Sequence, residues 1–354
     1  MKSLTVLAVL LLLPAIGHAQ CMSTKILVFS DDLKYVAQPK KSEPGTILVW
    51  SPNSAFKKEL ALPGKDVQLM DLLFLKTGKL IGVFVKGAEF GPSSLVYTEW
   101  DPKDDSLKTY QMPTVINPVV SYTSSCSTVS ENESAVITSV QAFGSYNYVQ
   151  GFDIQSGKSL LTEKIGLHQI AQLSSDNKSL LYSTSTGSGS TYFSSQDFSS
   201  GRLNFDTKIS TLYSQWWPCY TINSSKKASW LSNGLLAIQS NGEELTLINP
   251  NSGALIPDQF KLPAYDHPLV YFDWNSTATL RLAVSDRIPA IFTDNYSKTA
   301  LQGIESSEGS DKWIIGGKIS GDEGTVALGT VKGAVQLFSA KTGAALTEMV
   351  CPSR

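Results

Sequence analysis

The chain has 354 residues, of which 42% are hydrophobic, 17% charged and 10% aromatic. This composition is typical of a folded protein and excludes a disordered or collagen-like chain. The formal net charge of -2 gives no electrostatic basis for nucleic-acid binding, so we expect no nucleic-acid partner.

The first residues have the pattern of a signal peptide. Lys2 supplies a basic start, Leu4 to Ile16 form an almost continuous apolar run, and Gly17 and Ala19 place small residues at a cleavage site. We therefore expect residues 1–19 to be removed. The apolar run is shorter than the roughly 20 residues that span a bilayer, so a membrane anchor is the weaker interpretation. We expect a secreted, extracellular protein without a membrane span.

Four cysteines follow this segment: Cys21, Cys126, Cys219 and Cys351. An even number of cysteines in an oxidising compartment favours two disulfides, for which three connectivities exist. A lipid-modified Cys21 fits less well, because the residues before it do not form a lipoprotein box. Five sequons for N-glycosylation are also present: Asn132, Asn177, Asn223, Asn275 and Asn295.

Beyond residue 19 the sequence predicts an all-β structure, because short β-branched and aromatic runs are separated by Gly, Pro, Asn, Asp and Ser. One unit recurs: an apolar strand, a polar turn that usually contains Gly or Pro, and a second strand. Its first turn residues lie 44 to 52 residues apart, at Ser51, Asp101, Asp153, Asp197, Asn249, Asp294 and Ser339.

Seven such units of about 48 residues account for residues 20–354. A repeat of this length holds four short strands, so the sequence predicts a single seven-bladed β-propeller of four-stranded antiparallel blades. Two stacked β-sandwich domains are the alternative, but sandwiches need no fixed period.

The strand, Asp-x-x-Ser/Thr-Gly, strand pattern resembles the blade signature of quinoprotein-like and Trp-Asp-repeat-like propellers. It is clearest from Asp153 to Leu161 and from Ser339 to Leu346. The resemblance implies a fold and does not transfer an activity.

The propeller assigns each feature to a face of the disc. With strands A to D in each blade, the A–B and C–D turns share one face, here named the turn face, and the B–C and D–A connections share the other, the loop face. Asn132, Asn177 and Asn275 fall in predicted A–B turns and Asn295 in a C–D turn, whereas Asn223 lies in a long D–A segment. Four sequons are therefore expected on the turn face.

The same argument predicts a disulfide pairing. Cys21 precedes the first A strand and Cys351 follows the last D strand, so they meet where the ring closes and are predicted to pair. Cys126 and Cys219 are then left to pair with each other, both near the loop face.

Aromatic residues concentrate in the long segment before the fifth blade, where Trp216, Trp217 and Tyr220 are the first candidates for a contact surface. The alternative is that they fill the centre of the ring or cap the core. Tyr265 and His267, in the next D–A connection, are weaker candidates, and His267 also fits a structural turn role.

Sequence motifs for catalysis or cofactor binding are missing. No Gly-x-Ser-x-Gly is present, no Cys-x-x-Cys or Cys-Cys pair occurs, and only His168 and His267 follow residue 19. We therefore expect no cofactor and no metal. Asp71, Asp176 and Asp273 are candidates for a calcium site in a central channel, but ordinary surface positions are the expected role of such acids.

These observations favour a non-enzymatic secreted propeller that binds an extracellular protein or glycan through its loop face. The alternative is a secreted propeller enzyme, a hydrolase, lactonase or oxidoreductase, with a site in the central channel assembled from distant residues.

Overall fold

The structure, a computed structural model, is built from β-strands joined by turns. The described residues are 26–40, 43, 46–61, 64, 67–87, 93–112, 124–142, 146–165, 168–174, 176–185, 191–197, 200–210, 228–240, 244–256, 269–285, 289–293, 298–303, 314–330 and 333–350. They include the ends of all strands, but nearly all B–C and D–A connections fall outside them.

Within these described residues, twenty-eight strands form seven four-stranded antiparallel sheets. In blades 1 to 4 they are β1 Val28–Phe29, β2 Val36–Pro39, β3 Thr46–Trp50, β4 Lys57–Ala61, β5 Val67–Phe74, β6 Leu80–Gly87, β7 Ser93–Asp101, β8 Ser106–Gln111, β9 Ser124–Val129, β10 Ala135–Ala142, β11 Tyr146–Asp153, β12 Ser159–Ile165, β13 His168–Leu173, β14 Ser179–Ser185, β15 Thr191–Asp197 and β16 Leu203–Ser210. In blades 5 to 7 they are β17 Ala228–Trp230, β18 Leu236–Ser240, β19 Glu244–Ile248, β20 Leu255–Ile256, β21 Leu269–Trp274, β22 Leu280–Ser285, β23 Pro289–Thr293, β24 Lys298–Ala300, β25 Ile314–Ile319, β26 Thr325–Thr330, β27 Ala334–Ser339 and β28 Ala345–Val350.

The predicted all-β, seven-bladed propeller is confirmed. Each blade takes four consecutive strands, paired in chain order from A to D. A strands of neighbouring blades contact each other, as β5 does with β9 and β21 with β25, so the A strands form the inner edge of the ring and the D strands the outer edge. The first turn residues of the seven repeat units, from Ser51 to Ser339, lie within one residue of the ends of the C strands.

Packing between blades forms the core. In β6 the side chains alternate between two neighbours: Leu80 and Phe84 pack toward blade 1, whereas Ile81, Val83 and Val85 pack toward blade 3. This alternation follows from the two-residue period of a strand. Seven buried apolar clusters result, one at each junction between successive blades.

The junction of blades 7 and 1 closes the ring. Leu27 and Phe29 of blade 1 pack in one cluster with Ile315 and Ala327 of blade 7. Gly329 makes room for this contact, because a Cβ atom there would lie 2.7 Å from Leu27 Cδ2. Each of the two blades is built from its own chain segment, so apolar packing rather than strand exchange joins the two ends.

The seven A–B turns share one backbone geometry. In each, the fourth residue has a positive φ, between 55° and 85°, and its N–H donates to the carbonyl of the first turn residue. The fourth residues are Leu33, Gly78, Glu133, Asn177, Gly234, Ala278 and Glu323. The first residue is Ser in blades 1, 3, 4 and 7, where its Oγ accepts the N–H of the residue five positions later.

These turns bond to one another around the turn face. The N–H of Lys76 in blade 2 donates to Glu133 Oε1 in blade 3 at 2.7 Å. Gly321 N–H in blade 7 donates to the Asp31 carbonyl in blade 1 at 2.8 Å, and Ser232 N–H in blade 5 to the Ser276 carbonyl in blade 6 at 2.9 Å. These polar contacts supplement the apolar packing at the blade junctions.

Three C–D turns, in blades 3, 5 and 7, lie in close contact with the preceding blade. Gly157 faces the ring of Tyr110, and Gly253 faces the ring of Phe205, at distances that leave no room for a Cβ atom. Gly343 lies against the Ala300 carbonyl, and its φ is +68°. These glycines are needed both for the left-handed backbone and for the approach of the outer strand of the neighbouring blade.

Two glycine variants separate these two requirements. Gly234→Ala adds a Cβ at φ +78° with no described atom within 4 Å, so it should cost about 1 kcal/mol of unfolding free energy. Gly343→Ala adds a clash with the Ala300 carbonyl, which cannot rotate away, and should cost roughly 3 kcal/mol in total. Denaturant unfolding measures both. Equal losses of unfolding free energy in the two variants would show that the contact between the C–D turn and the neighbouring blade contributes little to stability.

Candidate functional site

The aromatic candidates lie outside the described residues. Trp216, Trp217 and Tyr220 fall between β16 and β17, and Tyr265 and His267 between β20 and β21. These two segments connect blade 4 to blade 5 and blade 5 to blade 6. They therefore begin and end on the loop face of three consecutive blades.

The disulfide prediction also stays untested. Cys21, Cys219 and Cys351 lie outside the described residues. Cys126 is the third residue of β9, an A strand, and pairs across the sheet with Ser139. The backbone of Cys126 thus lies near the middle of an inner strand.

The acidic side chains of the A strands are not ordinary surface groups. Asp273 in β21 is 2% exposed, and Asp71 in β5 is half-buried. The expected surface position is therefore wrong for Asp273 and right for Asp176, which is exposed in an A–B turn, whereas Asp71 lies between the two cases. The inner edge of the ring buries positions that alternation alone would leave facing water.

Asp71 is held between two strands. Its Oδ1 accepts the N–H of Leu72 at 2.9 Å, and its Oδ2 accepts the N–H of Ser127 in the neighbouring blade at 2.9 Å. Burial raises the pKa of Asp71 to about 6, and the hydrogen bonds from Ser127 and Leu72 offset only part of that effect. The carboxyl group therefore titrates close to neutral pH.

Ser127 connects Asp71 to a buried chain of hydroxyl groups. The Oγ of Ser127 lies 3.2 Å from Thr138 Oγ1, which accepts the Tyr97 hydroxyl at 3.0 Å. Tyr97 is fully buried and stacks on Phe152 with ring centroids 4.5 Å apart. A polar path thus crosses the junction of blades 2 and 3, from an inner carboxyl to a buried phenol.

A second polar group joins blades 6, 7 and 1. Asp273 Oδ2 accepts the N–H of Ile319 in blade 7 at 3.1 Å, and Lys318 Nζ pairs with Asp31 Oδ1 in blade 1 at 3.0 Å. Burial alone would lower the pKa of Lys318, but the carboxylates of Asp273, Asp31 and Glu133 outweigh it and raise that pKa. The lysine therefore remains charged.

Other polar side chains of the inner strands also bridge blades. Gln172 Nε2 in blade 4 donates to the Val129 carbonyl in blade 3 at 3.0 Å. Trp274 Nε1 in blade 6 donates to Ser229 Oγ in blade 5 at 2.9 Å. The inner polar side chains named here thus act between neighbouring blades.

Sequence reasoning missed Lys318 and Ser127. Lys318 and Asp273 each lie two residues before the first residue of an A–B turn, Ser320 and Asn275. A polar residue at that position, in an otherwise apolar strand, is the signal that could have identified them. Ser127 has no such signal, because one serine among many in this chain is not distinctive.

Three of the five sequons lie within the described residues, all in A–B turns as predicted. Asn132 is exposed, Asn177 is half-buried, and Asn275 is 6% exposed. Asn223 and Asn295 lie outside the described residues. Glycosylation of all five stays a prediction.

Within the described ranges, no group of three or more His, Cys, Asp or Glu side chains is arranged to hold a metal ion. The same part of the chain contains no helix long and apolar enough to cross a membrane.

Comparison with known proteins identifies the class. No known protein family matches the sequence, and no curated protein does. Solved structures match the fold: a chain from the crystal structure of a mitotic checkpoint complex has a TM-score of 0.55 at 14% identity, covering 95% of this chain and 99% of that one. The computationally designed Ika8 protein has a TM-score of 0.54 at 13% identity, covering 94% and 89%. The chain is a seven-bladed β-propeller, and its likeness to these two structures concerns the fold alone.

Asp71 should make stability depend on pH near neutrality. Its pKa is about 6 in the folded protein and 3.8 in the unfolded chain, so the folded state binds the proton more tightly. The free energy of unfolding should therefore rise as pH falls from 7.5 to 5, and the gain is complete only below pH 3.8. The full difference corresponds to at most roughly 3 kcal/mol.

Thermal or urea unfolding at pH 7.5 and 5 measures this effect. The stability of the wild type relative to Asp71→Asn should increase toward pH 5. Asp176→Asn is the matched control: hydrogen bonds from Ser174 and Lys178 lower the pKa of Asp176, so its contribution changes only below pH 4. An Asp71→Asn difference that is constant with pH would contradict the assignment.

Proposed function

We propose that this protein is a secreted, non-enzymatic β-propeller that binds an extracellular protein or glycan through its loop face. The proposal rests on one observation: the polar side chains at the inner edge of the ring connect neighbouring blades. Asp71, Gln172, Asp273 and Lys318 bond across blade junctions. Residues committed to holding the ring together are poorly placed to bind or transform a substrate, which leaves the outer surfaces for recognition.

The topology supports the loop face as the recognition surface. The segments that carry Trp216, Trp217 and Tyr220, and Tyr265 and His267, leave and re-enter the ring at blades 4, 5 and 6. The described strand ends on either side of both segments thus belong to adjacent blades. Tyr and Trp are the residues that most often dominate binding energy at protein interfaces.

The matched structures support the propeller fold on which the proposal rests. One of them is a chain of a mitotic checkpoint complex, an assembly of proteins. At 14% identity the likeness concerns the fold alone, and a fold hosts many functions. The extracellular location rests on the signal-peptide pattern of residues 1–19 and on the even number of cysteines.

Substitution of the aromatic residues tests the proposal. The probes are arrays of immobilised glycans and of purified secreted proteins. For any bound member, the triple variant Trp216→Ala, Trp217→Ala, Tyr220→Ala should weaken affinity about tenfold or more, because aromatic anchors at an interface commonly supply 2 kcal/mol or more. Circular dichroism and thermal unfolding verify that the variant is folded.

The matched control lies on the outer strands. Leu107 and Leu160 are exposed near the starts of β8 and β12, with 43% and 44% exposure, so Leu107→Ala, Leu160→Ala should leave affinity unchanged. The proposal fails if the control alone weakens binding, or if no array member binds at micromolar concentration.

A secreted propeller enzyme with a central-channel site is the second candidate function. The position of Asp71 at the inner edge, with a pKa of about 6, favours it, since a carboxylate that titrates near neutral pH is suited to general acid–base catalysis. Turnover of chromogenic esters or lactones that is lost in Asp71→Asn would support this function over the first. A calcium ion or chromophore that co-purifies stoichiometrically would do the same.

A further inference from the structure

The three described sequons occupy different positions of the same five-residue turn. Asn275 is the first residue of its A–B turn, Asn132 the third and Asn177 the fourth. The turn uses the amide nitrogen of the asparagine at two of these positions and only its oxygen at the other. N-glycosylation needs the amide nitrogen Nδ2, so the atoms that each turn uses decide whether its sequon can carry a glycan.

At the first position Asn275 uses its amide nitrogen. Nδ2 donates to Thr277 Oγ1 at 2.9 Å, to Thr279 Oγ1 at 3.1 Å and to Glu323 Oε1 of blade 7 at 2.8 Å. Oδ1 accepts the Leu280 N–H at 3.0 Å, the task that serine Oγ performs in four other blades. The side chain is 6% exposed, so a sugar on Nδ2 would remove an inter-blade bond and have no space.

At the fourth position Asn177 also uses its amide nitrogen. Nδ2 donates to Ser134 Oγ of blade 3 at 2.8 Å, and Oδ1 is buried as well. The backbone has φ +57°, which aims the side chain at the neighbouring turn. A glycan here would have to separate blades 3 and 4 on the turn face.

At the third position Asn132 needs only its oxygen. Oδ1 accepts hydrogen bonds from Ser130 Oγ at 3.0 Å, from the Ser134 N–H at 3.0 Å and from Ser134 Oγ at 2.6 Å. Blades 1, 4 and 7 make the corresponding turn with an Asp carboxylate, at Asp32, Asp176 and Asp322. The nitrogen is therefore dispensable for the turn, and the residue is exposed.

We propose that, among the described sequons, Asn132 alone is glycosylated in the folded secreted protein, and that Asn177 and Asn275 are turn residues. The inference rests on the secretory route of the proposed function. In N-glycosylation, Nδ2 of Asn132 forms a bond to the anomeric carbon of a glycosyl diphospholipid and loses one proton. The bond from that carbon to the diphosphate oxygen breaks, and the diphospholipid leaves with the electron pair. The glycan then covers the turn face at blade 3.

Glycopeptide mapping of the full chain, secreted from a eukaryotic host with a foreign leader, tests the inference directly. Occupancy at Asn132 should exceed that at Asn177 and at Asn275 by about tenfold or more. Mapping the wild type needs no variant, so the result does not depend on a substitution that fails to fold.

The other blades supply matched variants. Asn132→Asp copies the turns of blades 1, 4 and 7 and should remove the mass of one glycan without lowering the melting temperature. Asn177→Gly copies blades 2 and 5, and Asn275→Ser with Thr277→Asp copies blades 1 and 7. Both abolish a sequon, and both should leave the mass of the attached glycans unchanged.

A predominantly glycosylated Asn275 or Asn177 in folded, secreted protein would overturn the inference, as would an unmodified Asn132. Failure of the proposed function gives a different result. If the native leader retains the protein in the cell while the foreign leader yields the expected glycan pattern, the secretory role fails and the assignment of Asn132 stands.

Discussion

Apolar side chains on both faces of every blade can leave water only if a second blade covers each face. The alternating burial of β6, with Leu80 and Phe84 toward blade 1 and Ile81, Val83 and Val85 toward blade 3, is the clearest case. Because no blade can cover both its own faces, the sheets must close into a ring. The contact of Leu27 with Ile315 and its neighbours completes that ring, so the first and last blades depend on each other although they are farthest apart in sequence.

Local sequence predicts the blades well because strands and turns repeat at a fixed period. The first turn residues of the seven repeat units, from Ser51 to Ser339, lie within one residue of every C-strand end. Contacts between A strands could not be predicted in the same way. Nothing near Lys318 specifies Asp31 as its partner, and nothing near Asp71 specifies Ser127, because these pairs arise only when the ring places one inner strand beside the next.

The polar side chains at the inner edge of the ring bond between neighbouring blades, and the aromatic candidates have no such role in the repeat. Asp273 accepts a hydrogen bond from a backbone N–H of a neighbouring blade, and Gln172 donates one to a backbone carbonyl of a neighbouring blade. A buried carboxyl group without such partners would be costly. The aromatic candidates Trp216, Trp217 and Tyr220 could be identified from sequence for the opposite reason: the repeat does not require them, since they fall between two blades.

The sequons illustrate why a motif and a structural role can share the same residues. Asn, Ser and Thr form sequons, and they also cap turns, because their short polar side chains bond to nearby backbone groups. A repeat that places such residues in seven A–B turns generates sequons whether or not glycans are attached. The amide nitrogen separates the two roles. At Asn132 the turn uses only Oδ1, so Nδ2 is available for a glycan. At Asn275 and Asn177 Nδ2 bonds to a neighbouring blade, so folding and glycosylation compete for the same atom.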